Sequence, residues 1–312
     1  MDTRIYLFTG FLDSGKSTFI NDTITTTDFC ENEKSLLIVS EEGEIEYNQE
    51  QLESFNCDLV YIHSLEEWSK DYLETLKQKY HPTQVLVEVN GMYDVSTMMD
   101  TPLPNNWSIV QVLTTINAET FALFLQNMRS LVYQHVVYSD LLIFNRISQA
   151  KKSFLRNNIK AINPTCQIIY EKADGTVNTL DDDELPYDIT SDTLVIEDHD
   201  FGIFCLDALE HPELYEGKEV TLKGQFKGRD KQLTDGFILG RQAMVCCEED
   251  TSLIGMICEH SIGKELYKDE WIQVHGYITL DYDPDIQSYV CILKVADLKV
   301  VPPLQNIYVT FD

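Results

Sequence analysis

The run Gly10-Phe11-Leu12-Asp13-Ser14-Gly15-Lys16-Ser17-Thr18 has the spacing GxxxxGK[ST], and the chemistry that spacing serves is phosphate capture. Each residue type has its own task. Gly10 and Gly15 let the chain turn its N–H groups inward, so that the amides from Asp13 through Ser14 to Ser17 close around phosphate oxygens. Lys16 neutralises the outer phosphates, the Ser17 hydroxyl ligates Mg²⁺, and Thr18 completes the motif. A second acid must help hold the metal, directly or through water. Val85-Leu86-Val87-Glu88-Val89-Asn90-Gly91 supplies it as Glu88, with Gly91 three positions on to bring its backbone close to a γ-phosphate.

A base-reading element belongs at the end of a later strand, where Leu141-Leu142-Ile143-Phe144-Asn145-Arg146-Ile147-Ser148 stands. Guanine-selective sites carry Asn-Lys-x-Asp there, the Asn fixing the loop and positioning the base, the Asp accepting from the guanine edge. Here Asn145 is kept, Arg146 replaces Lys and Ser148 replaces Asp. A buried donor left unpaired costs about 1–3 kcal/mol, so the missing acceptor weakens discrimination against adenine. GTP is the expected substrate, and ATP stays open.

These residues work only if buried strands deliver them to one edge. The first part of the chain alternates strand-like stretches (5–8, 35–39, 59–62, 84–89, 108–113, 140–144, 166–170) with helical patterns (16–25, 65–79, 118–134, 151–162). That alternation predicts an α/β P-loop NTPase domain, a mostly parallel sheet with helices on both faces. Residues 171–200 then change character, with eleven acidic residues against one basic, and read as a solvated acidic linker with one short strand at 193–196. A domain boundary is placed near Tyr187, giving domains 1–187 and 188–312. Beyond it, short alternating runs separated by Gly and Asp turns (219–226, 236–240, 244–247, 252–258, 271–280, 289–300) predict a smaller, mainly-β barrel of the OB type.

Composition narrows the partners. With 23 basic and 52 acidic residues, the formal charge of −29 argues against nucleic acid or an anionic membrane surface. No signal peptide and no stretch long enough for membrane insertion is visible, so a cytoplasmic location is expected, with the eight cysteines as reduced thiols. Cys246 and Cys247 are candidate Zn²⁺ ligands, with Asp250, Cys258 or His260 to complete a set, although neighbouring strand residues point to opposite faces. The run Asp281-Tyr282-Asp283-Pro284-Asp285 has Ile286 and Ile292 where a calcium loop needs Gly and Glu, and reads as a hairpin turn.

The first 187 residues resemble the CobW/HypB/UreG class of P-loop GTPases, and its CobW-like branch in particular. The similarity is carried by GFLDSGKST at the loop, VSEEGEIEYN at 39–48, VLVEVNGM around Glu88, Gln134 followed by SDLLIFNR, and Asn163-Pro164. It implies Mg²⁺-dependent GTP hydrolysis linked to zinc or cobalt handling. It also implies that Glu41, matching the family's switch acid, senses the γ-phosphate, so that Lys16, Glu88 and Glu41 form the catalytic set. The family's Cys-x-Cys-Cys metal motif is missing, leaving Cys57, His63 and Glu41 as a minimal candidate metal set. The second domain, with RQAMVCCEED at 241–250, DEWIQVHGYITL and YEGKEVTLKGQF, resembles the C-terminal domain of the YcgQ-like permease-subunit family. That resemblance implies a permease or metalloprotein partner. No residue is assigned to orient the attacking water, a role often completed by a partner or a homodimer mate, so such a mate is an expectation. The rival readings are a nucleotide-dependent binding module with negligible catalysis, and an ATPase.

Overall fold

The computed structural model describes residues 2–41, 47–147, 152–172, 175, 177–178, 185–230, 233, 235–244, 251–260, 266–284 and 287–311. Two compact units result, Met1–Lys151 with Thr165–Asp181, and Lys152–Pro164 with Asp182–Asp312.

In the first unit the elements run β1 (Thr3–Thr9), α1 (Lys16–Thr26), β2 (Ser35–Val39), α2 (Gln49–Ser54), β3 (Cys57–Tyr61), α3 (Lys70–Tyr80), β4 (Gln84–Glu88), α4 (Val95–Asp100), β5 (Trp107–Asn117), α5 (Phe121–Asn127), α6 (Arg129–Val137) and β6 (Leu141–Asn145). Then α7 (Lys152–Ile162) leads back to β7 (Gln167–Glu171) and β8 (Val177–Asn178). The sheet order is β3-β2-β4-β1-β5-β6-β7-β8, parallel except for the final antiparallel pair.

Why these runs make such a sheet is visible in β2, which is buried along its whole length. Successive residues point to opposite faces, so a strand covered on both sides must be apolar throughout. Leu36 and Ile38 join a core with Trp68, Leu73 and Leu76 on one face. Leu37 and Val39 join Ile20, Ile24 and Leu52 on the other. The sheet and its two helical layers bear out the expected α/β class. The single helix expected at 118–134 is instead two, broken at Met128, which has φ −136 and ψ 39.

The second unit holds β9 (Thr193–Leu194), α8 (Phe201–Glu210), β10 (Glu219–Arg229), β11 (Gly236–Met244), β12 (Thr251–Glu259), β13 (Trp271–Asp283), β14 (Ser288–Val300) and β15 (Tyr308–Val309), together with α7. Strand β10 pairs with β11 and β13, and β12 pairs with β14 in parallel. The order β10-β11-β12-β14-β13 therefore closes on itself as a five-stranded barrel with the strand order of an OB fold. Alternation explains it, because β10 buries every second residue from Val220 to Phe226 while those between face outward.

Among the described residues no helix is long and apolar enough to cross a membrane. Residues 179–184 of the acidic segment lie outside the described residues.

Candidate nucleotide site

The strands deliver their C-terminal ends to one edge. The loop 10–15 leaves β1, Ser40 and Glu41 follow β2, Glu88 ends β4, and Asn145 ends β6. In an open parallel sheet this edge is where ligands bind.

Two glycines shape the loop. Gly10 has φ 130, and a Cβ there would lie 2.2 Å from the Thr115 carbonyl oxygen. Gly15 has φ 92, and a Cβ would lie 2.6 Å from Asn145 Nδ2. Gly15 is also the N-cap of α1, in the left-handed region and with no side chain to satisfy the helix's first amides. Those amides and the helix dipole favour an anion at this end. Hydroxyls brace the loop from beneath: Ser14 Oγ is 2.9 Å from Thr115 Oγ1, and Thr9 Oγ1 is 2.7 Å from Thr114 Oγ1, which in turn bonds Ser139.

The sequence-predicted residues converge. Lys16 Nζ donates to the carbonyls of Gly10 (2.9 Å) and Phe11 (2.8 Å) and pairs with Glu41 Oε2 at 2.6 Å. Glu41 Oε1 accepts the Gly91 N–H at 3.2 Å. Gly91 can approach this closely only as glycine, since a Cβ would lie 2.7 Å from the Gly10 carbonyl oxygen. Ser17 Oγ donates to Glu88 Oε1 at 2.6 Å, and Glu88 is buried. Thr18 follows in the first turn of α1. Asn145 Nδ2 donates to the Ser14 carbonyl at 2.6 Å, and Arg146 Nη1 donates to the Asp13 carbonyl at 3.3 Å, so both tie the base-side loop to the phosphate loop.

Ser17 and Glu88 suit Mg²⁺, because both are hard oxygen donors held against each other beside the phosphate loop. The second Glu88 oxygen accepts from the Tyr47 hydroxyl at 2.7 Å. Burial, with the Glu88 charge beside it, pushes the Tyr47 phenol far up, so it remains a donor. Tyr47 lies inside the 39–48 motif, yet no spacing singles it out. His135 was equally invisible: it is buried on α6 with Nε2 3.0 Å from the Gly91 carbonyl and its ring edge-on to Phe11. Burial lowers its pKa to about 4; the Gly91 bond and Glu41 oppose that shift and Lys16 reinforces it, so the ring is neutral near pH 7 and Nε2 carries the proton. Among the described residues its Nδ1 is buried without a hydrogen-bond partner.

The minimal metal set is not assembled. Register aligns Cys57 with Ser35, whereas Glu41 lies two residues past Val39. Four residue steps of strand, about 13 Å, and two further residues therefore lie between the level of Cys57 and Glu41. Burial pushes the Cys57 thiol up to about 12, and His63 is exposed. Glu41 is committed to Lys16 instead. Among the described residues no three His, Cys, Asp or Glu side chains cluster as a metal site. Ser148, Cys246, Cys247 and Asp250 lie outside the described residues. Cys258 is buried in the barrel, which raises its pKa, and His260 Nδ1 is 3.0 Å from the Val295 carbonyl oxygen.

No curated protein matches the chain. Among solved structures, the hydrogenase maturation factor HypB from Archaeoglobus fulgidus is 16% identical, with 55% of this chain and 82% of that one covered and a TM-score of 0.41. A zinc-bound triple mutant of the YjiA GTPase is 15% identical, with 93% and 88% covered and a TM-score of 0.44. The N-terminal domain of PriB from Thermoanaerobacter tencongensis is 17% identical, with 27% and 96% covered and a TM-score of 0.20. Residues 173–310 match the DUF1980 C-terminal domain. Residues 4–170 match the CobW/HypB/UreG nucleotide-binding domain, over more than half of the sequence, and the chain belongs to that family.

Proposed function

We propose that this protein is a Mg²⁺-dependent GTPase whose turnover is slow without a partner. The observation that carries the reading is the convergence of Lys16 Nζ, the Gly91 N–H and the Ser17–Glu88 pair at the open end of the sheet. Lys16 and the loop amides would hold the phosphates, and Asn145 would keep the base-side loop in register with them through Ser14. Ser17 and Glu88 would hold Mg²⁺, which supplies neutralisation of phosphate charge when bound. Coupling to zinc or cobalt handling, or to a transport-linked partner docked on the barrel, rests on the family resemblances.

A nucleotide-responsive binding module is the second reading. It is favoured by Lys16, whose ammonium is already fully engaged by protein groups.

Competition of GTP and ATP for the Mg²⁺-loaded protein, read by displacement of a fluorescent guanine nucleotide, tests the reading. Strong GTP preference with slow hydrolysis, both lost in Lys16→Ala, is expected. Equal or ATP-favoured displacement would sink the guanine assignment, and tight binding with no turnover under any condition would leave the module.

A further inference from the structure

Glu41 engages both of the donors that a terminal phosphate would meet. Its Oε2 is 2.6 Å from Lys16 Nζ and its Oε1 accepts the Gly91 N–H, while the side chains of Lys16 and Glu41 are only 2% and 9% exposed. An ammonium has three N–H donors, and those of Lys16 are used by the Gly10 carbonyl, the Phe11 carbonyl and Glu41. The two carbonyls belong to the loop itself. Glu41 is the one partner of the three on a side chain that can swing away.

A carboxylate presents two forked oxygens and a negative charge, as a phosphoryl group does at the same donors. The backbone just before it is fixed. Ser40 N and Oγ both bond the Glu88 carbonyl, at 3.0 and 2.7 Å, and Ser40 Oγ accepts the Asn90 N–H at 2.9 Å. Any exchange at Lys16 is thus confined to the Glu41 side chain.

Resting on the nucleotide site proposed above, we infer that Glu41 is an internal stand-in for the terminal phosphate and sets the preference between nucleoside triphosphates and diphosphates. A γ-phosphate must displace the carboxylate from Lys16 and from Gly91 together, because two anions in a buried site cannot share one pair of donors. A β-phosphate needs only Lys16, so a diphosphate leaves the Gly91–Glu41 contact in place. The carboxylate therefore opposes the triphosphate more than the diphosphate, and its expulsion distinguishes the two states.

Titration calorimetry of the full chain with GDP and with a non-hydrolysable GTP analogue, in Mg²⁺, tests this. Glu41→Gln keeps the shape but removes the charge that competes with a γ-phosphate at both donors, leaving Gly91 only a neutral, weaker acceptor. It should tighten the triphosphate analogue about tenfold and GDP less than threefold. Glu41→Asp, too short to span both donors, should move the ratio the same way by a smaller factor, and a purely structural role for Glu41 would leave the ratio fixed. Nucleotide binding that persists in Glu41→Gln with an unchanged ratio, or with a weakened triphosphate, overturns the inference alone. Loss of all nucleotide binding in the wild type overturns the site reading and the inference with it.

Discussion

Each unit of this chain buries an ion pair, and the two pairs are built for opposite ends. In the first unit Lys16 faces Glu41 across the phosphate loop. In the second, Arg156 on α7 pairs with Asp207 at 3.5 Å and with Glu210, which also takes Lys160. Burial is similar, with Lys16 and Glu41 at 2% and 9% exposure and Arg156 and Asp207 at 8% and 9%. What differs is the company the anion keeps. Asp207 Oδ2 accepts from the Tyr215 hydroxyl at 2.6 Å, and Tyr215 is bonded in turn to Tyr187 at 2.7 Å. That network is closed inside the protein. Glu41 instead holds an ammonium and a backbone N–H that an outside anion can also use. Burial of a charge pair does not by itself separate a staple from a switch; the replaceability of its partners does.

The sharpest way to break the comparison is to remove one member of the closed network. Asp207→Ala takes one of two carboxylates from the buried Arg156 guanidinium, which keeps Glu210, and leaves the Tyr215 hydroxyl only its Tyr187 partner; losing a charged acceptor from such a buried network costs about 1–3 kcal/mol. Chemical denaturation followed at the barrel should show that loss. The Glu41 charge differs in what can replace it: Lys16 keeps two carbonyls, and a bound phosphate restores an anion opposite it, so the stability lost in Glu41→Gln should be recovered when nucleotide is bound. An Asp207→Ala loss below about 1 kcal/mol would show that the second pair is as exchangeable as the first.

Acid should separate the units. His135 has its pKa lowered to about 4, so the unfolded chain takes up a proton below pH 6.5 that the folded first unit refuses until about pH 4. Stability from this group is full above pH 6.5 and erodes as pH falls to 4, by about 3 kcal/mol. In the second unit, burial would raise the Glu210 pKa, but Arg156 and Lys160 outweigh it and hold the carboxyl below its ordinary value. Its contribution is present above pH 4.5 and disappears only as pH falls further through the depressed value. Hydrogen exchange should therefore show β1 to β5 loosening between pH 6.5 and 4 while the barrel holds. His135→Gln, which retains a donor for Gly91, should remove the wild-type slope in that window. An unchanged slope would take His135 out of the account.

How much of this was legible in the sequence follows from the range of each interaction. Lys16, Ser17 and the loop glycines act within a few residues, so spacing alone marked them. Glu88 and Gly91 were found because a buried strand ending in an acid has a distinct pattern. The barrel was readable from strict alternation such as that of β10. Tyr47 and His135 reach Glu88 and Gly91 from 41 and 44 residues away, and nothing local encodes such meetings. Cys57, His63 and Glu41 were grouped by chemistry, and strand register moved the thiol to the far end of the sheet. The break at Met128 was hidden because both helices carry apolar residues continuous with a single pattern.

The finest test concerns Tyr47, whose hydroxyl holds the Glu88 oxygen that Ser17 does not. If Glu88 is a metal-holding group, its orientation matters as much as its presence, and supporting hydrogen bonds typically contribute about 10–100-fold to metal affinity. Tyr47→Phe keeps the ring and removes only the donor. The Mg²⁺ concentration needed for half-maximal triphosphate binding should rise about tenfold, near the low end because Ser17 still restrains the carboxylate. Nucleotide affinity at saturating Mg²⁺ should change little, since the Lys16 and Gly91 donors are untouched. A weakened triphosphate at saturating metal would instead place Tyr47 with the Glu41 gate, and the ion pair and the metal pair would then be one device.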